Sequence, residues 1–173
     1  MLLTAMLAMN TAAAAPVADK EMGVGVSLQY PYYAVTLKKW GAVDVLPGIV
    51  EDGPGGAAAY VGIRNYIYGL TVHARVNLEK DFWTPPWEFG FAEQAVYYGA
   101  GVGIDFTISS YYGSNLGIGL RGVVGYQLAL NAFPLEVALQ IEPGININLL
   151  GNRYYYNLIS YNGLYGLVAR YYF

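Results

Sequence analysis

The residues able to do chemistry are few. The chain holds one histidine, His73, and no cysteine. Thiolate metal sites and disulfide frameworks are therefore excluded, and nucleophilic catalysis would need a serine placed beside a base. His73 lies in LTVHARVNLE, where Leu70, Val72, Ala74, Val76 and Leu78 alternate with Thr71, His73, Arg75, Asn77 and Glu79. A period of two belongs to a strand, so His73 shares a polar face with Arg75 and has no serine next to it. That setting suits a polar structural residue better than a catalytic base. No catalytic residue, metal site or cofactor is expected, because one His without clustered carboxylates gives no ligand spacing. The glycine runs GVGVS and GAGVGID match phosphate loops only superficially, since each lies inside an alternating strand and neither opens a helix.

What remains is charge, and the alternation positions it. The clearest case is FPLEVALQIEPGININLL, residues 133–150. Leu135, Val137, Leu139, Ile141, Pro143, Ile145 and Ile147 are apolar, whereas Glu136, Ala138, Gln140, Glu142, Gly144, Asn146 and Asn148 are polar or small. A strand of this length, apolar on one face and wet on the other, fits a transmembrane barrel whose apolar side meets lipid. Hydrophobic residues make up 55% and charged ones 12%, yet no segment after the N-terminal one holds the roughly twenty consecutive apolar residues of a spanning helix. Eighteen Tyr and 22 Gly point the same way, because barrels use aromatic girdles and need glycine where the wall curves or the lumen is crowded. A net charge of -3 gives no basic patch for nucleic acid.

In chain order, MLLTAMLAMNTAAAAP reads as a cleavable signal segment over residues 1–15, leaving one barrel domain over 22–173. Strands are predicted at 22–30, 33–40 and, more poorly, 42–50, where Pro47 interrupts the ladder. Lys39 and Trp40 should mark a membrane boundary. Residues 51–59, EDGPGGAAA, read as a loop. Between Val61, Ile63 and Leu70, Val72 the apolar phase slips from odd to even. Either a bulge near Gly69 lets one strand change face or two strands meet here, and the bulge is favoured because it keeps the strand count even. The aromatic, Pro-rich segment 81–94 reads as boundary anchoring, with a plug or partner site as the other reading. Strands at 95–108, 116–129, 134–149 and 161–173 complete an eight-stranded antiparallel meander.

With these phases the outward faces are uncharged. Lys38, Arg75, Arg121 and Arg170 face inward against Glu79, Asp105, Glu136 and Glu142, a neutral lumen with two expected cross-strand ion pairs, Arg121 with Glu142 and Arg170 with Glu136. Eight strands enclose just enough room for side chains, so these residues should fill the lumen. Loops 51–59, 109–115 and 150–160 are the expected seats of binding. The cluster Tyr154, Tyr155, Tyr156 and Tyr161 is the candidate for contact with a surface partner, and an interfacial girdle is its other reading.

The final Phe173, with Tyr171 and apolar partners at alternate positions before it, resembles the C-terminal signal of bacterial outer-membrane barrels. Together with YYGAGVGID, GIGLRGVVGYQL, FPLEVALQIEPGININL and GLVARYYF, it makes residues 95–173 similar to the small OmpA/OmpX-type eight-stranded barrels. The likeness extends to uncharacterised members carrying a comparable R-G-x-V-G, P-L-[ED]-V and R-Y-Y-F series. Pro47, the slip near Gly69 and the long 81–94 segment depart from that pattern. The resemblance implies location in a Gram-negative outer membrane, lipid as surroundings, and recognition of Tyr171 and Phe173 by the barrel-assembly machinery. A monomer is expected. Lipid-modifying relatives of that architecture need a base and usually a serine nucleophile, which His73 alone does not supply. The function expected is a non-enzymatic membrane scaffold or surface-binding protein. A narrow, porin-like path for small solutes and a soluble, lipocalin-like binder with its apolar face inward are the alternatives.

Overall fold

The computed structural model describes residues 22–41, 55–111, 113–151 and 158–173. Among them the chain is all β: eight antiparallel strands in sequence order, closed into a barrel by pairing of the first with the last. The strands are β1 (Met22–Tyr30), β2 (Tyr32–Trp40), β3 (Gly55–Tyr66), β4 (Gly69–Trp83), β5 (Ala92–Ser109), β6 (Gly113–Leu130), β7 (Leu135–Leu150) and β8 (Ile159–Tyr172). Following paired residues from Gly23 through Lys38, Ala58, Asn77, Gly101, Arg121 and Gly144 to Asn162, and so back to β1, returns about ten residues further along the strand. With eight strands this stagger sets a tilt of about 40° to the barrel axis.

The eightfold closure matches the alternation, but the third and fourth strands are divided differently from expectation. The segment 42–50 and the proposed signal 1–15 lie outside the described residues. Residues 55–59, expected as loop, begin β3. Their small side chains are what admits them to the wall: a Cβ on Gly56 would come within 3.3 Å of both the Lys38 stem and the Trp40 ring, which lie over it. The favoured bulge at Gly69 is not there. Instead Tyr66 pairs with Gly69 across a two-residue turn, Ile67 and Tyr68, and two strands meet. Directly opposed residues in a hairpin share a face, and with this pairing odd positions of β3 face even positions of β4, as Val61 faces Ala74. The phase slip is thus the signature of the turn itself. The expected loop at 109–115 shrinks likewise to a short connection between Ser109 and Gly113, and the last strand starts at Ile159.

Faces follow the alternation. Val26, Leu28, Val35, Val61, Val102, Leu120, Leu139 and Ile141 stand on the exterior with half or more of their surface exposed. Arg121, Glu142, Gln127 and Arg170 are buried inside. Lys39 points outward at the end of β2, whereas Trp40, expected beside it at the boundary, turns inward and is 4% exposed. The meander also sorts the connections. The β2–β3, β4–β5 and β6–β7 connections lie at the rim where β1 begins and β8 ends, the terminal rim, and the β1–β2, β3–β4, β5–β6 and β7–β8 connections lie at the far rim. The three expected binding loops therefore do not gather on one end, since the one before β3 opens at the terminal rim.

Candidate functional site: the barrel interior

All eight residues singled out for the lumen are buried inside the barrel: Lys38, Arg75, Glu79, Asp105, Arg121, Glu136, Glu142 and Arg170. They separate into two groups along the axis. Near the terminal rim, Lys38 Nζ stands 3.0 Å from Glu79 and 3.8 Å from Glu136. Arg170 Nη1 reaches Glu136 at 2.5 Å. Tyr172 donates to the other Glu136 oxygen at 2.6 Å. The hydroxyl of Tyr60 accepts from Arg170 Nη2 and lies within donating distance of Glu79 and of Gln140. The Lys38 ammonium also rests 3.9 Å from the centre of the Trp40 ring, a cation–π contact that the same-face spacing of two residues along β2 provides. Every one of these charged side chains is 0% exposed.

Toward the far rim, Arg75 pairs with Glu142 at 2.8 Å and donates to Gln29. Arg121 lies 3.5 Å from Asp105 and donates to Asn162 at 3.0 Å. Asn146 donates to Asp105 at 2.7 Å. Gln140 joins the two groups, accepting from Tyr97 at 2.7 Å and donating to Glu142 at 2.5 Å. Through Gln140 the two groups form one connected polar network in the barrel interior.

Of the two ion pairs read from the strands, Arg170 with Glu136 is present and Arg121 with Glu142 is not. The cause is register. The expectation set Arg121 at about the depth of Glu142, but β6 and β7 pair with Arg121 opposite Gly144. Two residues of offset carry Glu142 toward Arg75 and leave Arg121 to Asp105 on its other neighbour, β5. The charge count is corrected too. Asp81, expected in the aromatic boundary segment 81–94, continues the inward face of β4, is buried, and accepts both hydrogen bonds from Gln127 Nε2. It is a fifth buried carboxylate beyond the four expected, and its neighbour Lys80 is a fifth buried cation.

The lumen also uses aromatic and amide residues that a search for charges passes over: Tyr60, Tyr97, Tyr172, Gln29, Gln127 and Gln140 are each about 1% exposed or less. Their signal was available, since each stands in the inward phase of its strand. They fit because inward glycines leave the wall bare. The Tyr97 ring lies flat on Gly125, where any Cβ would overlap it.

His73 is buried, stacked on Tyr32 with ring centres 4.3 Å apart. Its Nε2 accepts from Arg75 at 3.0 Å, and its Nδ1 lies 3.8 Å from Asp105. The lone pair a general base would use is engaged by a guanidinium. Among the described residues no group of three or more His, Asp or Glu side chains is arranged to hold a metal ion. Of the tyrosines proposed for surface contact, Tyr154, Tyr155 and Tyr156 lie outside the described residues, while Tyr161 belongs to β8 and projects outward, 84% exposed. Tyr171 and Phe173 also face out.

Comparison with family models, with curated proteins and with solved structures finds no match to this chain.

Proposed function

We propose that this chain is a non-enzymatic protein of a bacterial outer membrane, a barrel plugged by its own side chains that acts as a membrane scaffold or a surface-binding protein. The observation that carries the reading is the inversion of the usual order of burial: an apolar wall on all eight strands outside, charged groups inside. In water such an exterior would expose far more contiguous apolar surface than the few hundred Å² a soluble monomer tolerates. In a bilayer the same wall is satisfied, and backbone closure leaves no unpaired edge. A soluble lipocalin-like binder needs the opposite orientation, with apolar side chains turned to the centre.

On this reading residues 1–15 are a cleaved signal, and Tyr171 and Phe173, as the resemblance to OmpA/OmpX-type barrels implies, are read during assembly. Surface contact falls to the exposed tyrosines near the far rim, among them Tyr68, Tyr111 and Tyr161. Membrane fractionation and a difference in gel mobility between heated and unheated samples test the location.

The second reading, a narrow polar path, draws support from buried polar atoms without hydrogen-bond partners along the lumen, among them both amide atoms of Asn77 and one oxygen each of Asp105 and Asn146. Planar-bilayer recordings decide between the two. The plugged barrel should give no stable conductance, and reproducible unitary steps from the purified protein would transfer the assignment to the path.

A further inference from the structure

The connection from β4 to β5 is a built feature of the terminal rim. Buried Gln94 donates through Nε2 to the Trp87 carbonyl and accepts from the Tyr126 hydroxyl. The Asn131 amide donates to the Gly90 carbonyl at 3.3 Å, and the backbone N–H groups of Ala92 and Asn131 donate to Phe89 and Phe91. Pinned at four carbonyls, the hook encloses a concavity of about 360 Å³ whose lining includes Trp87, Phe89, Glu88 and Glu93. This volume lies at the small end of ligand sites.

The chemistry of the lining is selective. Trp87 and Trp83 pack edge to face, ring centres 5.8 Å apart, and Phe89 stacks on Phe91. Both inner rings are thereby fixed while remaining about half exposed. Glu88 and Glu93 are exposed, and among the described residues neither is paired with a cation. A carboxylate between Trp87 and Phe89 is unsuited to hydrocarbon, so this side of the hook belongs in water even though Phe82 and Trp83 continue the apolar wall. Ring faces attract a cation through their quadrupoles, and carboxylates supply the full charge. A hard metal ion would use the oxygens but gain little from the rings. An organic cation uses both.

We infer that the hook pocket binds an organic cation, an ammonium or guanidinium group, carried by a free amine or by a Lys or Arg side chain of a partner. This assignment stands apart from the plugged-barrel reading. The test uses the full chain, labelled with nitrogen-15 and folded in detergent micelles, where the indole N–H signals of Trp40, Trp83 and Trp87 are followed by NMR. Tetramethylammonium, spermidine and a short arginine-containing peptide amide are the probes, and glucose is the neutral control. The Trp87 signal should shift saturably with the cations while that of Trp40, buried in the lumen, stays still. The double variant Glu88→Gln, Glu93→Gln, whose exposed side chains hold nothing in the fold, should weaken binding roughly tenfold or more. Tighter binding of the peptide than of spermidine assigns the group to a protein partner, the reverse assigns it to a free amine, and equal affinity means that the pocket reads the cationic group alone. Absence of a saturable shift, an equal response to glucose, or unchanged affinity in the double variant would overturn the proposal.

Discussion

The two halves of the lumen hold charge by different means. In the half near the termini, Lys38, Arg170, Glu79 and Glu136 are fully buried and are roofed by Tyr60, Tyr97, Trp40 and Tyr172. In the half near the far rim, Arg121 and Asp105 keep a few per cent of exposure and a 3.5 Å separation, among asparagines and threonines such as Asn115, Asn146 and Thr71. The first half is a closed network in which each member depends on the next. The second is looser, because neutral amides near the mouth can exchange a partner for water at small cost. The tighter of the two networks is therefore the one in the terminal half.

Removing single members should separate the halves. Arg170→Met leaves the Glu136 carboxylate, in a site closed to water, with only the longer contact to Lys38 and the Tyr172 hydrogen bond, and should cost about 3–5 kcal/mol in urea unfolding of the membrane-inserted barrel. Adding Glu136→Gln should recover part of that loss, since it removes the carboxylate charge left in excess. A double variant no more stable than Arg170→Met would show that the pair is not what that half depends on.

Space gives the next contrast. Gly125→Val forces the Tyr97 ring from the wall in the closed half and should destabilise by about 1–3 kcal/mol. Gly117→Val, whose Cβ would meet the end of the Asn148 side chain at 3.2 Å and the Ile147 carbonyl at an ordinary 3.6 Å, should cost less than about 1 kcal/mol in the same assay. Equal losses would erase the distinction between halves. A smaller loss than that of Arg170→Met is expected for Arg121→Met, about 1–2 kcal/mol, because Asp105 keeps its hydrogen bond from Asn146 close to the mouth. A loss as large as that of Arg170→Met would mean the far half is sealed as tightly.

Much of this was legible residue by residue. The inward phase of Thr71, His73, Arg75, Asn77 and Glu79, and the outward phase of Leu120 and Leu139, follow from alternation alone because a strand sends successive side chains to opposite faces. The end of a strand was less legible. Gly55, Gly56 and Asp81 carry loop-like residue types, and only the neighbours packed beside them show that they continue the wall. The slip at Gly69 was visible, but a bulge and a two-residue turn change phase alike over one strand. What separates them is pairing with the returning strand, which lies in another part of the chain.

The same limit applies to the partners of each charge. The amino-acid sequence by itself determined that the chain makes amphipathic strands and which side chains share a face, since both depend on a local period of two. Tertiary structure decided which cation meets which carboxylate, because register and stagger around a closed barrel are properties of all eight strands together. With Gly144 and not Glu142 opposite Arg121, Glu142 meets Arg75 while every face stays as the alternation set it.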